Sequence, residues 1–287
     1  MFLDGLKTWV ASAPMEIILV VPQCDYKAMA ALLRTQPTGN SKVKLLTVPS
    51  PSKRMQLARG IAVANGSIIV LVDSDVHWPK TLLASLLAGF QDPRVGGVGS
   101  RAKICQDGRA KFQGGWMSRQ IMRRRFITRF RHISATLVAD GRISCLSGRT
   151  AAYRSVIIKD KAFLEAFTND YWGSGQRLDS GDDTFITSWI QDKGWLAVLQ
   201  IAPEADIIAF AMPFRSILRQ WIRWTRNSKR SFIRHLMQPK IYWTHPYLAL
   251  NMLESLIRPL LSITFMIVVN TGFSERHTWY HILSIPF

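Results

Sequence analysis

The run Ser67-Ile68-Ile69-Val70-Leu71-Val72-Asp73-Ser74-Asp75 constrains this chain more than any other stretch. Apolar, mostly β-branched residues from Ile68 to Val72 end abruptly in two carboxylates two positions apart. A continuous apolar run of that length, bounded by polar residues, is the pattern of a strand buried on both faces. In an open α/β sheet, ligands bind beyond the carboxyl ends of such strands. Asp73 and Asp75 can there hold a divalent cation, and the cation a diphosphate. The same residues also suit a simple turn into the next helix, so the stretch alone leaves both readings open.

The flanking sequence repeats one beat. Residues 16–21 and 42–48 read as further strands, the first ended by Pro22, and residues 6–14, 27–34 and 53–64 read as helical, with a loop at 37–41. Strand and helix in alternation predict a Rossmann-like, mostly parallel sheet with right-handed crossovers. Farther on, Trp78-Pro79 opens a helix to about Phe90, residues 92–100 lead into a strand, and a basic helix covers 117–132. Residues 141–148 read as a short strand into a turn, 180–193 as a helix and 195–201 as a strand.

Charge narrows the classes of partner. The net charge is +18 over 287 residues, which points to nucleic acid, an anionic membrane surface or a phosphorylated substrate. Residues 101–131 carry ten Lys/Arg against one acid, and residues 215–240 carry eight and no acid. Both stretches are interleaved with Trp, Phe, Ile and Met, the composition of a helix lying on a membrane. No helix-turn-helix, zinc or RNA-binding motif accompanies them, so nucleic acid is not expected as a partner. Cys24, Cys105 and Cys145 match no metal or redox spacing and fit a reducing compartment. Residues 247–270 are mostly apolar but contain Glu254, Arg258 and Pro259. The charge-free run 259–274 is shorter than the ~20 residues that span a bilayer. An interfacial helix breaking at Pro259 into a transmembrane helix is therefore expected, with a second apolar stretch at 279–287.

Several constellations have both a structural and a chemical use. Ser180-Gly181-Asp182-Asp183 precedes an apolar helical pattern and fits a capping box; one of its carboxylates can instead face the aspartate pair and take a proton from an attacking hydroxyl. Gln220, Arg223 and Trp224 stand at i, i+3 and i+4, on one helix face. A guanidinium and an indole there suit a diphosphate and a sugar, or simply a core aromatic with solvated arginines. Lys53-Arg54 follows a Pro-Ser-Pro-Ser turn and can meet a phosphate or a base. Ser147-Gly148, with Tyr153-Arg154 beyond, reads as a turn after a buried strand.

In order, Lys53-Arg54, Asp73-Ser74-Asp75, Leu146-Ser147-Gly148 with Tyr153-Arg154, Gly181-Asp182-Asp183 and Gln220-x-x-Arg223-Trp224 resemble the motifs of the processive family 2 glycosyltransferases: the hyaluronan, chitin and cellulose synthases. Val76-His77-Trp78-Pro79, Ser147-Gly148-Arg149-Thr150 and Ser180-Gly181-Asp182-Asp183 carry a narrower likeness to fungal hyaluronan-synthase-like and capsule-type polysaccharide synthases. The resemblance runs from Leu6 to Arg258. It implies an α/β GT-A domain on the cytosolic face of a plasma membrane or endomembrane, moving sugar from a UDP-sugar to a growing polysaccharide with inversion, among membrane lipids. It implies that Asp73 contacts the nucleoside, that Asp75 binds Mg2+ or Mn2+ on the diphosphate, and that Asp183, with Asp182 beside it, supplies the general base. Lys53 and Arg54 would lie at the nucleotide, Gln220, Arg223 and Trp224 would hold the diphosphate and the acceptor sugar, and Ser147 and Gly148 would line the acceptor. A non-processive relative of the ceramide-glucosyltransferase type, adding one sugar to a glycolipid, resembles it in the same motifs; an inactive, membrane-bound basic protein is the alternative from another class.

The expected organisation is a GT-A domain over 1–212, a basic amphipathic interface helix over 213–245 and a membrane-associated region over 246–287. The family's domain opens with a strand and has a further aspartate after its second strand. Here a helix comes first, and Pro22-Gln23-Cys24 has Asp25 only nearby. A domain lacking its first strand, with a shortened membrane region, is therefore expected.

Overall fold

The computed structural model describes residues 2–35, 42–107 and 114–274. The chain divides into two units, Met1–Ser228 and Lys229–Phe287. The loop expected at 37–41 and the apolar stretch at 279–287 lie outside the described residues.

The first unit opens with α1 (Phe2–Ala11), β1 (Glu16–Pro22), α2 (Tyr26–Arg34), β2 (Lys42–Val48) and α3 (Lys53–Val63). β1 and β2 pair in parallel over their whole length. α3 starts where it does because Ser52 is extended and its hydroxyl accepts from the Met55 N–H, satisfying one of the free donors of a helix N-terminus. β3 (Ile68–Val72) follows, then β4 (Val76–His77) and α4 (Leu82–Ala88). The helix expected from Trp78 thus begins later, after a two-residue strand.

β3 is buried on both faces, as its unbroken apolar run requires. Ile69 and Leu71 face a core with Ala151, Tyr153, Phe163, Phe167 and Ile186. Ile68, Val70 and Val72 face another with Leu6, Leu82, Leu86 and Val98.

Next come β5 (Val95–Ser100), β6 (Ala102–Ile104), α5 (Trp116–Asp140) and β7 (Thr150–Arg154). α5 outruns the expected 117–132 because Ile133 and Leu137 carry its apolar face onward into the core, until Gly141 ends it with φ 67°. Residues 141–148 are not a strand; the strand comes after the turn, as β7. Ile143 and Leu146 are buried there nonetheless, and side chains satisfy their backbone: the Gln191 amide oxygen accepts from the Ile143 N–H and the Thr187 hydroxyl from the Leu146 N–H.

The unit continues with α6 (Ser155–Ile158), α7 (Lys161–Thr168), β8 (Tyr171–Trp172), β9 (Gln176–Arg177), α8 (Asp182–Asp192), β10 (Leu196–Gln200), β11 (Ile207–Ala209) and α9 (Phe214–Leu236). α7, unforeseen in the sequence, is capped by Asp160, whose carboxylate accepts from the Ala162 and Phe163 N–H groups.

The principal sheet has the order β10-β5-β7-β3 and is mixed rather than mostly parallel. β10 runs parallel to β5, while β7 lies between β5 and β3 antiparallel to both. Thr150, at the start of β7, pairs with Val72, at the end of β3. The turn before β7 therefore meets the aspartates after β3. A smaller sheet has the order β4-β11-β6. Gly97 in β5 lets α8 lie close to the principal sheet: a Cβ there would come within 2.7 Å of Ile190 Cδ1.

In the second unit, the end of α9 is followed by α10 (Lys240–Thr244) and α11 (Pro246–Ser274). Ile241, Leu248, Ala249 and Met252 pack with Phe232 and Leu236. α11 runs through Pro259 without the expected break. Proline removes the N–H that would reach the Ser255 carbonyl, and the Lys229 ammonium donates to that carbonyl instead at 3.1 Å. Pro246–Val269, 24 residues with a mean hydropathy of 1.8, is long and apolar enough to cross a membrane.

Candidate active site

α3 and β3 bring the first charges together. Lys53, the first residue of α3, places its ammonium 2.9 Å from Asp73 Oδ1 and 2.9 Å from Asp182 Oδ2. Burial alone would lower its pKa, but the Asp182 and Asp73 carboxylates outweigh it and raise it, so Lys53 stays a cation. Asp182 is buried at the start of α8. Burial raises its pKa, and repulsion from Asp183 and Asp73 adds to this against the pull of Lys53. Asp75 has no ion pair among the described residues; burial, then Asp73, push its pKa up.

Asp183 is held from the other side. The capping box does not form: Gly181 is the N-cap, at φ 79°, and the Ser180 hydroxyl donates to Asn227 Oδ1 at 2.8 Å. Asp183 Oδ2 instead accepts from the Gly148 N–H at 3.3 Å, and its Oδ1 accepts from the Thr184 N–H at 2.9 Å. Burial would raise its pKa, but Arg129, and next Lys53, draw it below the ordinary carboxylate value. Asp183 is therefore ionised where its neighbour Asp182 resists ionisation. The Cys145 thiol beside it is pushed up by burial and by the Asp183 charge.

The turn before β7 joins the two groups. The Asp73 N–H donates to the Arg149 carbonyl at 3.0 Å, one residue from the Gly148–Asp183 contact. Ser147 serves the turn itself, its hydroxyl accepting from the Arg149 N–H at 3.5 Å. Tyr153 is buried in the core, and the Arg154 guanidinium donates to the carbonyls of Val95, Phe90 and Asp92.

On α9, Gln220 and Trp224 are half-buried and Arg223 is exposed. The Trp224 ring lies 5.2 Å from the Arg149 guanidinium, which ties α9 to the turn before β7. Arg54 does not join this cluster. It is 2% exposed, pairs with Asp170 at 2.9 Å, donates to the carbonyls of Phe167 and Ser180, and stacks on Phe167 and Phe185. Its neighbour Lys53 alone faces the aspartates.

Sequence reasoning gave no role to Arg149, Arg129 or Asn227. Arg149 stood within a quoted motif, but only the antiparallel pairing of β7 with β3 brings it to the aspartates.

Among the described residues no group of three or more His, Cys, Asp or Glu side chains forms a metal cage. The chemistry of Asp75 nonetheless fits a divalent cation. It is a half-buried carboxylate beside a second one, and while Lys53 pairs with Asp73, Asp75 forms no ion pair among the described residues, with Arg149 and Lys53 only partly offsetting its burial. A hard cation needs only one or two such carboxylates when phosphate and water supply its other oxygens.

Comparison with known proteins identifies the family and the fold. Residues 5–227 match the family described as "Glycosyltransferase like family 2". A type 2 glycosyltransferase of Zymoseptoria tritici is 35% identical over 243 residues, which is 84% of this chain and 50% of that protein. One from Gibberella zeae is 33% identical over 83% of this chain and 45% of its own length. The NDP-glycosyltransferase ltbB of Aspergillus luteorubrus is 28% identical over 92% of this chain and 66% of its own length. The chain thus spans about half the length of the type 2 glycosyltransferases it matches. The mannosyltransferase PcManGT from Pyrobaculum calidifontis, solved with GDP-Man and Mn2+, has the same fold, with a TM-score of 0.58 at 17% identity over 93% of this chain and 76% of that one. With the family pattern matched from residue 5 to residue 227, the chain belongs to glycosyltransferase family 2 and has its mixed α/β, GT-A-like fold.

Proposed function

We propose that this chain transfers a sugar, with inversion, from a UDP-sugar to a growing polysaccharide. What carries the reading is the gathering of three carboxylates, two after the end of β3 and one at the start of α8: Asp73 tied to Lys53, Asp75 without an ion pair among the described residues, and Asp183 ionised and held by Gly148 and Thr184. The name of the NDP-glycosyltransferase relative and the GDP-Man and Mn2+ bound to the mannosyltransferase of like fold support a nucleotide-diphosphate sugar and a divalent cation.

In this reaction an acceptor hydroxyl attacks the anomeric carbon. The bond to the nucleoside diphosphate breaks, and the hydroxyl proton passes to Asp183. Asp183 is ready for it because the Arg129 field keeps it ionised and two backbone N–H groups fix its orientation. Asp73 contacts the nucleoside, with Lys53 holding its carboxylate. Asp75 would hold Mg2+ or Mn2+, which when bound would supply positive charge to the leaving diphosphate. Gln220, Arg223 and Trp224 receive the diphosphate and the acceptor sugar, with Ser147 and Gly148 on the acceptor's path. The basic helix α9, which ends at Leu236 rather than running to 245, and the apolar α11 hold the domain at the cytosolic face of a membrane, among its lipids.

Incubating membranes that carry a full-length form with radiolabelled UDP-GlcNAc, UDP-GlcA, UDP-Glc and UDP-Gal tests this. Polymer from one of them is expected. A single sugar added to a lipid would replace the polysaccharide reading, and absence of any Mn2+-dependent stabilisation by UDP or GDP would overturn the transferase reading itself.

A further inference from the structure

Beside Asp183 lies a cluster of cations to which the reaction above assigns no ligand. The Arg149 guanidinium is 4.3 Å from the Phe126 ring centroid and 5.2 Å from that of Trp224. Arg125 lies 5.3 Å from Trp224 and 5.4 Å from Trp221. Arg129 is one turn beyond Arg125 on α5 and shares its face. None of the three guanidiniums has an ion pair among the described residues. The nearby acids attract these cations without forming an ion pair with them: Lys53 holds Asp73 and Asp182, and backbone N–H groups hold Asp183. The indole N–H of Trp221 is likewise buried with no acceptor among the described residues.

We propose that Arg149, set against the rings of Phe126 and Trp224, and Arg129 together form an anion subsite that selects an acceptor bearing a carboxylate or phosphate; this rests on the transferase reading above. Like charges gathered on an aromatic wall repel one another, and a planar guanidinium held by ring faces presents a fixed fork to an oxyanion. Burial, and then the charge of Arg129, lower the pKa of Arg125 and, against the pull of Asp73, Asp75 and Asp183, bring that of Arg149 down to about 10. An anion lodged among them removes this penalty.

The acceptor, rather than the donor, supplies that anion for two reasons. The donor's diphosphate has its own counter-charge in the cation at Asp75. Arg129 is the strongest charged neighbour of Asp183, the residue that has to meet the acceptor hydroxyl.

The test is a calorimetric titration of the full chain with glucuronate, glucose 6-phosphate and glucose, with saturating UDP and Mn2+ and again without nucleotide. One of the two anions is expected to bind about tenfold or more tightly than glucose, the scale of one charge-assisted hydrogen bond. Which anion it is identifies the acceptor's group. Arg149→Met and Arg129→Met should each erase the preference while changing UDP affinity by less than about threefold. Arg149→Lys, which keeps the charge without the fork, should retain part of it. Thermal melting shows which variants are folded, and Arg129→Met serves if Arg149→Met is not. No anion preference in the wild type, a preference that survives both substitutions, or loss of UDP affinity in its place would overturn the subsite. If UDP and GDP fail to bind with Mn2+, the transferase reading falls, and the nucleotide-free titration still decides the subsite.

Discussion

Gly148 and Asp183 are in contact through backbone and carboxylate: the Gly148 N–H donates to Asp183 Oδ2 at 3.3 Å, and a Cβ on Gly148 would lie 3.1 Å from Asp183 Cβ. Glycine is needed here for proximity, not for its dihedral freedom. Gly148→Ala is expected to push Asp183 aside by a few tenths of an ångström and lower kcat about 10- to 100-fold, since small misplacements of reacting groups are costly. Nucleotide affinity should hold. Steady-state kinetics beside nucleotide titration checks this, and an unchanged kcat would remove Asp183 from the reaction.

Asp183→Asn keeps the shape and removes the proton acceptor. Transfer should fall by about 10²- to 10⁴-fold, the range for a general base, while UDP binding in Mn2+ stays close to wild type. A matching loss of UDP binding would make Asp183 a binding residue.

Asp75 carries a pH prediction. Its pKa lies above the ordinary value because burial and Asp73 disfavour its charge. Protons therefore compete with a cation at higher pH than for an ordinary aspartate: as pH falls, Mn2+-dependent UDP binding should weaken before the usual range near ~3.9 is reached. The metal-free protein has the opposite trend. A raised carboxylate pKa costs stability while the group is charged, and this cost is relieved as pH falls through the folded value. Asp75→Ala should abolish the Mn2+ dependence of UDP binding. A variant that still responds to Mn2+ would place the cation elsewhere.

Arg54 makes a prediction of a different kind. Removing one partner of a buried ion pair strands the other, at about 3–5 kcal/mol. Arg54→Met should therefore lower unfolding stability by that amount through Asp170, with UDP affinity of the folded protein unchanged. Urea unfolding and a binding titration separate the two effects, and weakened UDP binding at undiminished stability would make Arg54 a nucleotide contact.

The strands were legible where periodicity was simple. Ile68–Val72 announced burial on both faces because nothing polar interrupts it, and the Pro-Ser-Pro-Ser turn placed the start of α3 at Lys53; Gly141, read as the start of a strand, is instead the left-handed end of α5. Direction was not legible. Nothing in Thr150–Arg154 distinguishes an antiparallel strand inserted between β5 and β3 from a parallel one, because pairing direction is a property of the assembled sheet. The same holds for Lys53 and Arg54: adjacent residues of one charge, they point to different environments because α3 turns about 100° per residue. The Ser180–Asp183 spacing was a true capping pattern. It yielded to tertiary contacts, with Asn227 claiming the serine and Gly148 the aspartate.

The antiparallel entry of β7 has a consequence for how this protein fails. Tyr153 fills the core from β7, while the residues just before that strand reach Asp73 and Asp183. A slip of one position in the β3–β7 register would turn Tyr153 to the opposite face of the sheet. The same slip would detach Arg149 from Asp73 and Gly148 from Asp183. Core packing and the contacts that hold Asp73 and Asp183 are thereby tied to one register: a mispaired β7 loses both together.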